Sequence, residues 1–134
     1  DMDVTKLGYS LGVIPDMDQP HFLGNPDLIA AAIEANAQLG DEVKIYEGIV
    51  MTADLFLADD NKKNFLVNEF DGMCAEMEGA AIAHACYVNK IPFLIIRAIS
   101  DKADHSAHVN YPEFEKKAAA HSSKLLATML VKLM

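Results

Sequence analysis

Apolar positions recur along this chain at two periods, and the changes of period mark out its elements. In "GNPDLIAAAIEANAQLG" Ile29, Ala32, Ile33 and Ala37 fall at helical intervals, with Asn25 placed to cap, Pro26 at the first helical position and Gly40 as a stop. "EVKIYEGIVMT" reads as a strand that ends at Thr52, and "DNKKNFLVNEF" as a short helix after the loop "ADLFLADD". A short strand over Met73 to Ala75, a helix over Gly79 to Asn89 and a strand over Pro92 to Ile99 follow. The run "YPEFEKKAAAHSSKLLATMLVKLM" repeats Phe114, Ala118, Leu125, Leu126, Met129, Leu130 and Leu133 at helical spacing, which predicts one long packed helix. Strands and helices in alternation, with no internal repeat, argue for the α/β class.

Composition narrows the possible partners. The 134 residues are 51% hydrophobic and 23% charged, which suits one globular domain. Eleven basic against 20 acidic residues give a formal charge of -9, a balance that disfavours binding to nucleic acid and favours small-molecule or protein partners. No apolar run reaches the roughly 20 residues that span a bilayer, and no basic segment with an apolar stretch opens the chain, so a cytoplasmic protein without membrane contact is expected. Cys74 and Cys86 have neither CxxC nor zinc spacing and read as reduced packing residues. Asp1 stands where an initiator Met is absent, and the expectation is that the chain is part of a longer one.

Candidate chemistry gathers at the strand ends. Asp54, then Glu76 with Glu78, then Ser100 with Asp101, each come just after a predicted strand, where open α/β sheets bind ligands. Taken as pattern alone, the same acids read equally well as helix caps and solvated loop charges. Arg97 on an apolar strand is more specific, because a buried guanidinium requires a carboxylate, and Glu76 or Glu78 is the natural partner. Asp101, Asp104, His105 and His108 in "DKADHSAH" offer metal-ligand types, but a loop interleaved with alanines makes a poor ligand set, and no metal is expected. His84 and His121 read as packing or surface residues.

The segment "AEMEGAAIAHACYVNKIPFLIIRAISDKAD" resembles the signature region of the 5'-methylthioadenosine/S-adenosylhomocysteine nucleosidases, in which a Met-Glu pair precedes a helix, an apolar strand and Arg-Ala-Ile-Ser-Asp. "DVTKLGYSLGVIP", "ADLFL" and "HVNYPEF" extend the resemblance over the chain. It implies that residues 1–134 are the C-terminal part of a phosphorylase/nucleosidase-like three-layer α/β/α domain with a central mixed sheet. The rest of that domain, with the glutamate that activates the nucleophilic water, would lie outside this chain. The implied reaction is hydrolysis of an adenine nucleoside without a cofactor. Asp101 would deliver a proton toward N7 of adenine as the N-glycosidic bond breaks, since adenine leaves poorly as an anion. Glu78 would accept hydrogen bonds from the ribose hydroxyls, with Glu76 beside it, Met77 beneath the sugar and Arg97 close by. Phe56 would stack on the purine and the Leu57 backbone would read its edge. Ser100 and Ala103 would orient Asp101 and the base, and Tyr111, where an aromatic residue is usual, would line the sugar and alkylthio region. The resemblance also implies a homodimer in which Val4, Leu7 and Pro15 close the neighbouring subunit's alkylthio pocket. Leu7 stands where an aromatic residue is often found.

Two alternatives accompany this reading. A purine nucleoside phosphorylase would share the architecture but use phosphate as nucleophile. A fragment that only binds nucleoside or dimerises would show little turnover, and the isolated 134-residue piece is itself expected to be inactive.

Overall fold

The structure is a computed structural model that describes residues 3–17, 20–40, 43–99 and 111–133. Its elements run in the order α1 (Pro26–Gln38), β1 (Ile49–Thr52), α2 (Asp60–Phe70), β2 (Gly72–Glu76), α3 (Gly79–Val88) and α4 (Tyr111–Leu133), after a single 3₁₀ turn at Thr5–Leu7. Helix α1 starts as its sequence dictates: Asn25 Oδ1 accepts from the backbone N–H groups of Asp27 (3.0 Å) and Leu28 (3.1 Å), and Pro26 follows it. Asp59 caps α2 in the same manner.

Strands β1 and β2 pair in parallel, and the helix between them supplies the long crossover that parallel pairing requires. The pairing carries a bulge. Ile49 lies opposite Gly72, but Val50 lies opposite Cys74, so Met73 is an extra residue in β2. From there Met51 meets Ala75 and Thr52 meets Glu76. Helix α3 packs on β1 and α2 on β2, while α1 packs on α4.

That last seam holds the apolar core. Ala31, Ala32 and Ala35 of α1 meet Leu125 and Met129 of α4, with Leu39 and Leu94 against its rim. Small side chains on α1 let α4 approach closely, so the seam follows the alanines. The expected faces therefore rotate: Ile33 and Ala37 of α1, and Leu126, Leu130 and Leu133 of α4, are exposed. Buried Asn36 ties the seam to its surroundings, with Nδ2 donating to the Val43 carbonyl (3.1 Å) and Oδ1 accepting from His121 Nε2 (3.2 Å).

Two predicted strands are shorter or absent. Residues 43–48 and 91–99 carry no ladder among the described residues, because a strand is defined by a neighbour at its hydrogen-bonding edge. The extended 91–99 run is anchored by the Asn25 N–H donating to the Phe93 carbonyl (2.8 Å) and by Leu94 at the α1–α4 rim. His84 stacks on Phe22, with ring centroids 5.3 Å apart.

Candidate functional site

The carboxyl ends of β1 and β2 and the N-terminus of α3 meet at one junction, and Glu76 is its centre. The Thr52 hydroxyl donates to Oε1, the Gly79 N–H to Oε1 (2.9 Å) and Oε2 (2.7 Å), and the Glu78 N–H to Oε2 (3.1 Å). The Arg97 guanidinium completes the set at Oε2. Thr52 Oγ1 in turn accepts from the Ala80 N–H (2.8 Å). Glu78 occupies the N-cap position of α3 but makes no side-chain cap bond, so the strand ends themselves satisfy the first amides of the helix. Glycine at position 79 is a condition of this contact. A Cβ there would lie 2.8 Å from Glu76 Oε1.

The two acids of the Met-Glu region thus have opposite environments. The Glu76 side chain is 9% exposed and surrounded by donors, whereas that of Glu78 is 63% exposed and bonded, among the described residues, to Arg97 (2.9 Å). Burial raises the pKa of Glu76, but the Thr52 hydroxyl, the Glu78 and Gly79 amides and Arg97 together outweigh it and hold the carboxyl below its ordinary range. Cys74 is pushed up by burial and by neighbouring Glu76, against the opposing Arg97, so its thiol is a poor nucleophile. Glu76 is built to stay ionised and in place. Glu78 is built to present a carboxylate outward.

The remaining candidates fall around this junction unevenly. The Ala53 N–H donates to the Glu76 carbonyl (3.0 Å), so the loop carrying Phe56 and Leu57 leaves directly from the junction. Phe56 is exposed, Leu57 half-buried, and Met77 exposed between the two acids. Val4 is buried within the chain, Leu7 is exposed and Pro15 is half-buried. Ser100, Asp101 and Ala103 lie outside the described residues, as do Asp104, His105 and His108, and for Tyr111 only its place at the start of α4 is described. Among the described residues no cluster of three His, Cys, Asp or Glu could hold a metal, and Cys74 and Cys86 are free. Among those same residues no helix is long and apolar enough to cross a membrane.

Thr52 is the residue that sequence reasoning missed. A hydroxyl on the last residue of one strand and an acid on the last residue of the strand that follows, directly opposite each other once the two pair, are the signal that could have found it.

The family model of the phosphorylase superfamily matches residues 1–131. The chain belongs to that superfamily. Within the phosphorylase superfamily it is 39% identical over 131 residues to the 5'-methylthioadenosine/S-adenosylhomocysteine nucleosidase of Shewanella loihica, a match covering 97% of this chain and 56% of the relative. The crystal structure of the corresponding nucleosidase from Colwellia psychrerythraea 34H, in complex with adenine, matches with a TM-score of 0.86 at 36% identity, over 99% of this chain and 55% of that one. Futalosine hydrolase of Helicobacter pylori matches with a TM-score of 0.86 at 32% identity, over 98% and 55% of the two chains. This member of the superfamily thus has the phosphorylase/nucleosidase fold and spans a little over half the length of the relatives it matches.

Proposed function

We propose that the protein hydrolyses the N-glycosidic bond of 5'-methylthioadenosine and S-adenosylhomocysteine, releasing adenine and the 5-thioribose product. The observation that carries this reading is the exposed Glu78 carboxylate held by Arg97 beside a fully engaged Glu76, at the carboxyl ends of parallel strands. Its relatives of that name, and the adenine bound in one of them, support it. In this mechanism Glu78 accepts hydrogen bonds from the ribose hydroxyls and favours the positive charge that develops on the sugar. Met77 packs beneath the ring, Phe56 stacks on the purine and the Leu57 backbone reads its edge. Asp101, oriented with the base by Ser100 and Ala103, protonates N7 as adenine leaves, and Tyr111 lines the sugar and alkylthio region. Water is the nucleophile, activated by a residue outside these 134.

Residues 1–134 would form the C-terminal portion of one α/β domain, a reading supported by the greater length of the relatives and by exposed apolar residues such as Ile91 and Ile99 on the unladdered run. The active form would be a cytoplasmic homodimer, with Leu7 and Pro15 facing the neighbouring subunit's pocket, while Val4, expected beside them, is buried within its own chain. The similarity to futalosine hydrolase favours, as a second reading, a futalosine-type nucleoside as substrate.

The test is incubation of the full-length protein with methylthioadenosine, adenosylhomocysteine and aminodeoxyfutalosine, with and without phosphate. Free adenine released without phosphate is the expected result. Release that requires phosphate would make the protein a phosphorylase, and no release from any of the three would overturn the nucleosidase reading.

A further inference from the structure

We infer that Thr52 is a positioning residue for the sugar-binding carboxylate Glu78, acting through Glu76 and Arg97, an inference that rests on the nucleosidase reading above. The path is continuous. The Thr52 hydroxyl holds Glu76 Oε1, Glu76 Oε2 holds the Arg97 guanidinium, and the same Arg97 nitrogen holds Glu78 Oε2 at 2.9 Å. Where Glu76 rests therefore decides where Arg97 rests, and with it the direction of Glu78.

The strand register is what makes Thr52 available for this task. Were Met73 paired in regular register with Val50, Thr52 would lie opposite Ala75; because Met73 bulges out of the pairing, Thr52 lies opposite Glu76. The hydroxyl also accepts from the Ala80 N–H (2.8 Å), so a single side chain ties strand β1, the acid and the first turn of α3 together. Of the groups that fix Glu76, the Glu78 and Gly79 amides belong to the backbone and Arg97 is shared with Glu78. Among the described residues, Thr52 supplies the one side-chain bond to Glu76 that is independent of Glu78. A methyl group in place of its hydroxyl would leave both Glu76 Oε1 and the Ala80 N–H short of a partner.

The experiment compares Thr52→Val with Thr52→Ser in the full-length protein, measuring kcat and KM for methylthioadenosine, thermal unfolding, and the ¹³C carboxyl resonance positions of Glu76 and Glu78 at one fixed pH. Thr52→Val should lower kcat about tenfold, more than it raises KM, because a misdirected Glu78 loses most where ribose charge develops. Thr52→Ser, which keeps the hydroxyl, should restore kcat to within about threefold of wild type, and Thr52→Val should move both carboxyl resonances, because both carboxylates share Arg97. A Thr52→Val protein that unfolds earlier but keeps wild-type kcat and KM would overturn the inference. So would a variant in which the Glu76 carboxyl resonance moves and that of Glu78 does not. Wild-type protein that releases no adenine would count against the nucleosidase reading instead, and the paired carboxyl resonances would still decide whether Thr52 governs Glu78.

Discussion

The seam between α1 and α4 and the junction between β2 and α3 are both ordered, but by different forces. At the seam, Ala35 is fully buried and Leu125 and Met129 nearly so, and order comes from apolar surface removed from water. At the junction, order comes from one carboxylate that gathers a hydroxyl, two amides and a guanidinium. The seam can be loosened without touching the chemistry. On the proposed function the junction cannot, because Arg97, one of the groups that hold Glu76, also bonds Glu78.

Substitutions should separate the two regions. Leu125→Ala at the seam should cost about 2–5 kcal/mol of stability while the folded protein keeps its kcat, as denaturant unfolding beside adenine release would show. Gly79→Ala should act on the junction. Its Cβ would push the Glu76 carboxylate off the α3 amides, removing charge-assisted bonds worth about 1.5–3 kcal/mol and lowering turnover as well. Acid offers a third separation. Glu76 titrates below its ordinary value of 4.5 in the folded protein, so its contribution is complete above that pH and is lost as pH falls through the lower folded value. Hydrogen exchange should then show the first turn of α3 opening in acid before the middle of α1. The smallest effect belongs to the bridge between Lys132 and Glu34 on the surface of the seam. Lys132→Ala should shift the Tm only slightly, and high salt should erase the difference.

How far each region was legible in the sequence follows from the same contrast. Caps and helix limits depend on near neighbours, so Asn25 and Pro26 announced α1, and α2, α3 and α4 formed close to where the apolar spacing put them. Which face of a helix is buried depends on a distant partner, and for that reason Ile33 and Leu130 were expected inside and lie outside. The predicted strand over Pro92 to Ile99, and the 43–48 part of the one that ends at Thr52, did not form for a related reason, since no ladder partner for them occurs among the described residues. At the site, the carboxylate partners of Arg97 were legible, and it holds both Glu76 and Glu78, although its side chain is one-third exposed rather than buried. The unequal burial of those two acids was not, because it depends on the Met73 bulge and the nearness of Gly79, which no periodicity reports.

The account turns on Glu78 as the carboxylate that meets the sugar while Glu76 supports it. Steady-state kinetics of Glu78→Gln in the full-length protein, with methylthioadenosine as substrate and adenine as readout, test this most directly. The substitution keeps the shape of the side chain and its exposed place, so the protein should unfold at nearly the wild-type temperature. Turnover should fall about tenfold or more, the equivalent of losing about one charge-assisted hydrogen bond to the ribose. A Glu78→Gln protein with wild-type kcat and KM would contradict the account and remove Glu78 from the sugar site.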